Sequence, residues 1–230
     1  QSLICYIESY VSVMKIDEND RLGNQSPLDY IAAIRDIYVP LYKGCSSVII
    51  PKEYFMEPNR LFGYMNEHKV TSVGWSVSAF TVALSLGAFE EVKLNTLKKI
   101  CFSGSVMPAS CLSVWQQNLP DAKFVNQYGP TEATASCTYY EVDHLVSQNE
   151  QLPIGRPYNN YRVFLLNEDL TETPNGQIGE ICVSGPILAL GYYNDPERTE
   201  KSFIVNPNYK GYPERMYRTG DYGCIREDGL

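Results

Sequence analysis

Lys123-Phe124-Val125-Asn126-Gln127-Tyr128-Gly129-Pro130-Thr131-Glu132 decides how this chain is read. Residues 123–127 have the character of a short buried strand, and the Gly129-Pro130 pair breaks it with a turn. Parallel α/β sheets gather ligands at the carboxyl ends of their strands, where this turn falls. Tyr128 offers a flat face for a base and Thr131 a hydroxyl for a phosphate oxygen. Glu132 offers a hard oxygen ligand for a Mg²⁺ that also touches phosphates. The plainer alternative is a strand-to-helix turn with Glu132 stabilised by a helix N-terminus, and so short a stretch leaves both open.

Outward from this stretch, Leu3, Ile4, Ile7, Tyr10, Val11 and Met14 share one helical face, predicting a helix over 3–14. Residues 46–50 predict a strand closed by Pro51, and Pro58 opens a helix with Leu61 and Met65 on its apolar face. Strands are predicted over 70–75 and 97–103, and a helix over 108–118. Such alternation implies a parallel sheet. Near residue 145 the character changes: 145–151 is polar and reads as a linker. Beyond it come strands at 162–166 and 179–183, turn signals between them, and a helix over 196–203. The expectation is an α/β fold with a mostly parallel sheet flanked by helices over 1–145. A small β-rich subdomain, a distorted barrel, follows over 146–230.

The chain has 230 residues and a net charge of −8, a balance that argues against non-specific binding to nucleic acid or anionic membranes. No apolar run approaches the roughly 18 residues of a membrane span. The seven cysteines form no CxxC pair, and several lie inside apolar runs. They read as buried small hydrophobes in a reducing cytoplasm, with neither a disulfide framework nor a zinc site. His68 and His144 are the only histidines, and no Ser/His/Asp or Cys/His arrangement can be assembled.

Three further stretches stand out. Tyr217-Arg218-Thr219-Gly220-Asp221 places a carboxylate after a glycine turn, suited to a ribose diol or simply to capping the turn. Phe102-Ser103-Gly104-Ser105 ends a strand with a glycine that lets a ligand approach the backbone, or is an ordinary turn into a helix. Residues 178–185 and 189–193 read as glycines permitting tight turns, with no chemistry assigned.

Taken in order, YGPTE, GEICVSG, LALGYY and YRTGD resemble the core motifs of the adenylate-forming superfamily, over essentially the whole chain. That superfamily includes acyl-CoA and aryl-CoA synthetases, luciferases and nonribosomal peptide synthetase adenylation domains. Asp20-Arg21-Leu22-Gly23-Asn24-Gln25-Ser26-Pro27 and Pro153-Ile154-Gly155-Arg156-Pro157 narrow it to amino-acid adenylation domains similar to D-alanine–carrier protein ligase. The resemblance implies an ATP-dependent, AMP-forming ligase. A carboxylate attacks the α-phosphorus, pyrophosphate leaves, and a phosphopantetheinyl carrier protein or CoA takes the acyl group. It implies that Asn126, Gln127, Tyr128, Gly129, Pro130 and Thr131 surround adenine and α-phosphate, with Gly104 near the adenine. It implies that Asp221 holds the ribose and Glu132 the Mg²⁺, Thr131 and Glu132 being the catalytic pair. The carboxylate pocket would take in Ile31, Gly74, Ser103, Gln127 and Ala135.

The resemblance also carries departures. A Ser/Thr/Gly-rich phosphate loop and a C-terminal domain with a reactive lysine belong to the family pattern and match no residues here. The 230-residue chain is therefore expected to be a central fragment, inactive alone. Where amino-acid-activating relatives place an Asp for the substrate ammonium, this chain has Ile31, with Asp29 two residues earlier, and Ser105 replaces a common Glu. A buried ammonium without a counter-charge is costly. Three readings follow: an amino-acid ligase, an aryl-, hydroxy- or acyl-acid or CoA ligase, or a degenerate non-catalytic binding domain.

Overall fold

A computed structural model describes residues 1–230. Chain order gives α1 (Ser2–Met14), β1 (Arg21–Asn24), α2 (Ala33–Lys43), β2 (Ser46–Ile49), α3 (Pro58–Glu67), β3 (Ser72–Ser76), α4 (Val77–Ser85), β4 (Lys99–Ser103), α5 (Ala109–Asn118) and β5 (Lys123–Tyr128). Then follow β6 (Thr138–Val142), β7 (Arg156–Pro157), β8 (Arg162–Leu166), β9 (Gly179–Ser184), α6 (Pro196–Ser202), β10 (Phe203–Val205) and β11 (Arg215–Gly223). Seven strands form one sheet in the order β2-β1-β3-β4-β5-β6-β7, and four form a second in the order β10-β11-β9-β8. In the first, the pairings of β1 with β2 and β3, of β3 with β4 and of β4 with β5 are parallel, while β6 and β7 are antiparallel. The second sheet is antiparallel throughout. No helix is long and apolar enough to cross a membrane.

By contacts the chain divides into two units, neither a continuous stretch. The larger is Tyr10–Gln127 with Tyr140–Pro153, and the β-rich one is Gln1–Ser9, Tyr128–Tyr139 and Ile154–Leu230. In the larger unit the first connection, β1 through α2 to β2, runs toward one edge of the sheet, and the later connections run the other way. Strand alternation shows the consequence. Val73, Trp75, Ile100 and Phe102 face a core shared with Phe62 of α3, Phe80 of α4 and Trp115 of α5. Gly74 faces the other way, against Arg35 of α2, and Cys101 meets the Tyr10 hydroxyl of α1 at 3.6 Å. The strand order thus reverses between β1 and β3, the kind of switch point that opens a crevice at the strands' carboxyl ends.

The aromatic core explains why the β3–β5 region was readable as alternating strand and helix. Trp75 and Trp115 are fully buried, and the Phe80 and Trp115 rings meet edge to face at 4.9 Å. Burial of each such ring stabilises the unit by about 1.5–3 kcal/mol. Helix α2 has the opposite pattern. Its buried residues include Arg35 and Asp36, Pro40 lies inside it, and Tyr38, Leu41 and Tyr42 are exposed. It ends at Gly44, whose left-handed φ of 73° suits glycine.

Candidate functional site

The β-rich unit holds two of the carboxylates singled out in the sequence, Asp221 and Glu132, in hydrogen bonds. The first is on β11. Its ladder with β9 is regular through Arg218↔Cys182, shifts, and resumes at Tyr222↔Glu180. The residues pushed out between are Thr219, Gly220 and Asp221, with Gly220 at φ 77°. Buried Glu180 of β9 fixes this bulge: its Oε2 accepts from Arg218 Nε at 2.9 Å and its Oε1 from the Gly220 N–H at 3.1 Å. The Thr219 hydroxyl donates to the Ile181 carbonyl at 2.7 Å and accepts from the Asp221 N–H at 3.0 Å. Asp221 is thereby turned outward, where its Oδ2 accepts from the Tyr128 hydroxyl at 2.6 Å. Two residues 93 positions apart meet in this bond. Burial, reinforced by the Asp221 carboxylate, pushes the Tyr128 phenol up, so it remains a neutral donor.

The second carboxylate is Glu132. After Tyr128 the chain folds back so tightly that a Cβ on Gly129 would lie 2.5 Å from Ser136 Cα and 2.6 Å from Cys137 N, which excludes every other residue. One turn of 3₁₀ helix spans Thr131–Ala133, in place of the longer helix that the plainer reading of the motif supposed. Thr134 and Ala135 follow with φ of 49° and 72°, left-handed values that strain residues bearing a Cβ. Two bonds tie this loop to the 187–192 segment: Ala189 N–H to the Glu132 carbonyl at 2.8 Å, and the Thr134 hydroxyl to the Ile187 carbonyl at 2.6 Å. The Glu132 side chain accepts from the Tyr192 hydroxyl at 2.6 Å, and that hydroxyl lies 3.2 Å from the Tyr217 hydroxyl. Burial by itself would raise the Glu132 carboxyl. The bonds from Tyr192, its own backbone N–H and Tyr217, with the Arg198 charge, outweigh it and hold the group below its usual value, ionised at neutral pH.

In the larger unit, Gly74, Ser103 and Gln127 lie along one face of the sheet, because Gly74 pairs with Cys101 and Ser76 with Ser103. Gln127 is buried, and Asn126 is fixed by donating to the Pro153 carbonyl at 2.9 Å. Gly104 has a φ of 92° and open space where a Cβ would stand. Ile31 is half-buried ahead of α2, and Asp29 is exposed. The residue over Gly74 is Arg35, whose Nη2 donates to the Gly74 carbonyl. Its Nε lies 3.6 Å from Asp36 Oδ1, and Asp36 Oδ2 accepts from Asn24 at 2.9 Å. Burial nevertheless outweighs Arg35 and Asn24, raising the Asp36 carboxyl to about 6.

Of the residues singled out in the sequence, the structure brings Tyr128 onto Asp221 and sets Gly74, Ser103 and Gln127 on one face. Thr131 is exposed at the start of its turn, and Ala135 ends the same loop in the β-rich unit. Sequence reasoning missed Glu180, Tyr192 and Tyr217, which lie inside or beside the quoted motifs, and Arg35 with Asp36. The available signal was a buried-helix position carrying adjacent opposite charges.

His/Cys/Asp/Glu groups of three or more that could hold a metal are absent. Mg²⁺ asks for less than such a cluster: one or two carboxylates, with water and phosphate oxygens completing its shell. Glu132, ionised and half-buried, fits that use.

A mostly parallel sheet whose strand order reverses between β1 and β3 belongs to the class of α/β proteins that bind ligands at the carboxyl ends of their strands. The chain belongs to the AMP-binding enzyme family, matched over residues 1–193. It is 34% identical over 208 residues to surfactin synthase subunit 1 of Bacillus subtilis (strain 168), covering 90% of this chain and 6% of that protein. It is 33% identical over 208 residues to the D-alanine–D-alanyl carrier protein ligase of Bacillus cereus (strain G9842), covering 90% of this chain and 40% of the ligase. The AMPPNP-bound form of the nonribosomal peptide synthetase FmoA3 superposes with a TM-score of 0.90 at 28% identity, over 99% of this chain and 24% of that one.

Proposed function

We propose that this chain forms the adenosine-binding part and one wall of the acid pocket of an ATP-dependent, carboxylate-activating ligase. The observation that carries the reading is the bond between Tyr128 and Asp221, which joins two distant motifs at one outward-facing carboxylate. Asp221 is suited to hold the ribose diol and the Tyr128 ring to lie against the adenine, with Asn126, Gln127 and Gly104 on the same reading lining the nucleotide. Glu132 would hold Mg²⁺, which when bound supplies positive charge between two anions, the acid and the α-phosphate. The chain's own part is to fix nucleotide and acid in mutual position. A phosphopantetheinyl carrier protein is the proposed acceptor, by analogy with the carrier protein ligase. The proposed location is the cytoplasm, a reducing compartment in which thiols stay unpaired. Along the sequence we propose a division at 1–145 and 146–230, although by contacts residues 1–9 and 128–139 group with the β-rich unit.

A second reading concerns the acid. Ile31 offers no counter-charge, and the buried cation Arg35 stands over Gly74 with Asp36 already engaged by Arg35 and Asn24. This favours an acid without an α-ammonium. Carboxylate-dependent ATP–pyrophosphate exchange by the full-length protein tests both readings. Turnover of hydroxy or aryl acids, with amino acids accepted only after Ile31→Asp, is expected. Wild-type turnover of an amino acid removes the second reading, and no exchange with any acid removes the first.

A further inference from the structure

The LALGYY segment, which the sequence left as a set of tight turns, has a specific task in the structure. We propose that Tyr192 is the positioning residue for Glu132, fixing the carboxylate that receives a divalent cation. This rests on the function proposed above.

The geometry is built in layers. The Tyr192 hydroxyl donates to Glu132 Oε1 at 2.6 Å and has the Tyr217 hydroxyl 3.2 Å away, so two phenols share the approach to one carboxylate. The Tyr192 ring is itself fixed. The Tyr192 backbone N–H donates to Thr199 Oγ1 at 2.9 Å, and the Arg198 guanidinium lies 3.8 Å from the ring centroid. Gly191 permits this arrangement: at φ 149°, a Cβ there would meet Thr199 Cγ2 at 2.5 Å. The main chain of the same segment grips the Glu132 loop through Ala189 N–H and the Glu132 carbonyl. Backbone and side chain of Glu132 are therefore both held by one stretch, 189–192. A carboxylate on a flexible stem binds Mg²⁺ weakly unless its rotamer is set beforehand. A donor to one oxygen sets it and leaves the carboxylate its charge.

The test is calorimetric titration of ATP at graded Mg²⁺ concentrations, and of AMP without metal, into wild type, Glu132→Gln, Tyr192→Phe and the double variant. Tyr192→Phe keeps the ring and removes the hydroxyl. It should leave metal-free AMP binding unchanged and raise the Mg²⁺ midpoint for ATP binding about tenfold, the lower end for losing an orienting partner. Added to Glu132→Gln, it should change nothing further. An unchanged midpoint, or an effect additive with Glu132→Gln, overturns the proposal, as does an equal loss of metal-free AMP binding. If Tyr192→Phe lowers the melting temperature, Tyr217→Phe reads the same clamp: a raised midpoint supports it and an unchanged one overturns it. Wild-type ATP binding with no Mg²⁺ dependence overturns both this inference and the role of Glu132. Dependence lost in Glu132→Gln and kept in Tyr192→Phe overturns this inference alone.

Discussion

Gly74→Ala should be far more damaging than a glycine-to-alanine change in a strand ordinarily is. In a strand interior, alanine is favoured over glycine by roughly 0.5–1 kcal/mol. Here the added Cβ would stand 3.0 Å from Arg35 Cδ and closer still to Nε and Cζ, in a side chain with 2% exposure. Overpacking of this kind costs about 1–3 kcal/mol. Moving the guanidinium aside also breaks its bond to the Gly74 carbonyl and its pairing with Asp36, and parting a buried ion pair costs about 3–5 kcal/mol. A net loss of roughly 3 kcal/mol is expected, since partial relaxation spares some of the second effect. Denaturant unfolding can be followed by the fluorescence of Trp75 and Trp115, the only tryptophans and both in the larger unit's core. The decisive step is the double variant. In an Arg35→Ala background the Cβ meets little, so Gly74→Ala should become neutral or stabilising. A stability change within about 0.5 kcal/mol in wild type, or equal changes in both backgrounds, would refute the reasoning.

Three further outcomes follow from the same contacts. Asp36, raised to about 6 from 3.8, keeps its proton in the folded state where the unfolded chain has lost it. Stability should therefore fall as pH rises from about 4 to 6, by about 3 kcal/mol, and Asp36→Asn should flatten that slope in pH-dependent unfolding. Glu180→Gln weakens the support of the bulge, since Glu180 accepts from both Arg218 and Gly220. A loss of about 1–3 kcal/mol, with weakened AMP binding in calorimetry, is expected, and unchanged binding would free Asp221 from dependence on Glu180. Gly129→Ala should prevent the 128–137 loop from closing, because the colliding atoms are backbone. Limited proteolysis should then cut that loop faster than in wild type.

The readable part of the fold was the part whose hydrophobic pattern agrees with its burial. Helices α1, α3, α5 and α6 and strands β2, β3, β4, β5, β8 and β9 match the expected stretches to within a few residues. Strand β1 escaped because Arg21-Leu22-Gly23-Asn24 is short and holds one large apolar side chain. Helix α2 escaped because it buries an arginine and an aspartate and exposes Tyr38, Leu41 and Tyr42. Strand β11 was read as a turn because its chemistry sits on a bulge that interrupts the ladder. The same distinction applies to the site. Glu132 and Asp221 stand out by residue type and motif, whereas the groups that aim them, Tyr192 and Glu180, lie in quoted motifs that show no chemistry of their own. Their roles come from tertiary pairing across 60 and 40 residues. Ile31 was visible as a missing charge, but Arg35 as the cation over Gly74 was not, since that contact joins a helix to a strand 39 residues away.

Calorimetric titration of AMP into the wild-type protein and into Asp221→Ala tests the central claim most directly. Saturable binding by wild type, weakened at least about tenfold in the variant with the fold intact, is the predicted result, about 1.4 kcal/mol or more for loss of an acceptor to a bound diol. Wild type that takes up no AMP, or Asp221→Ala that binds it as wild type does, would contradict the assignment of this face to the nucleotide.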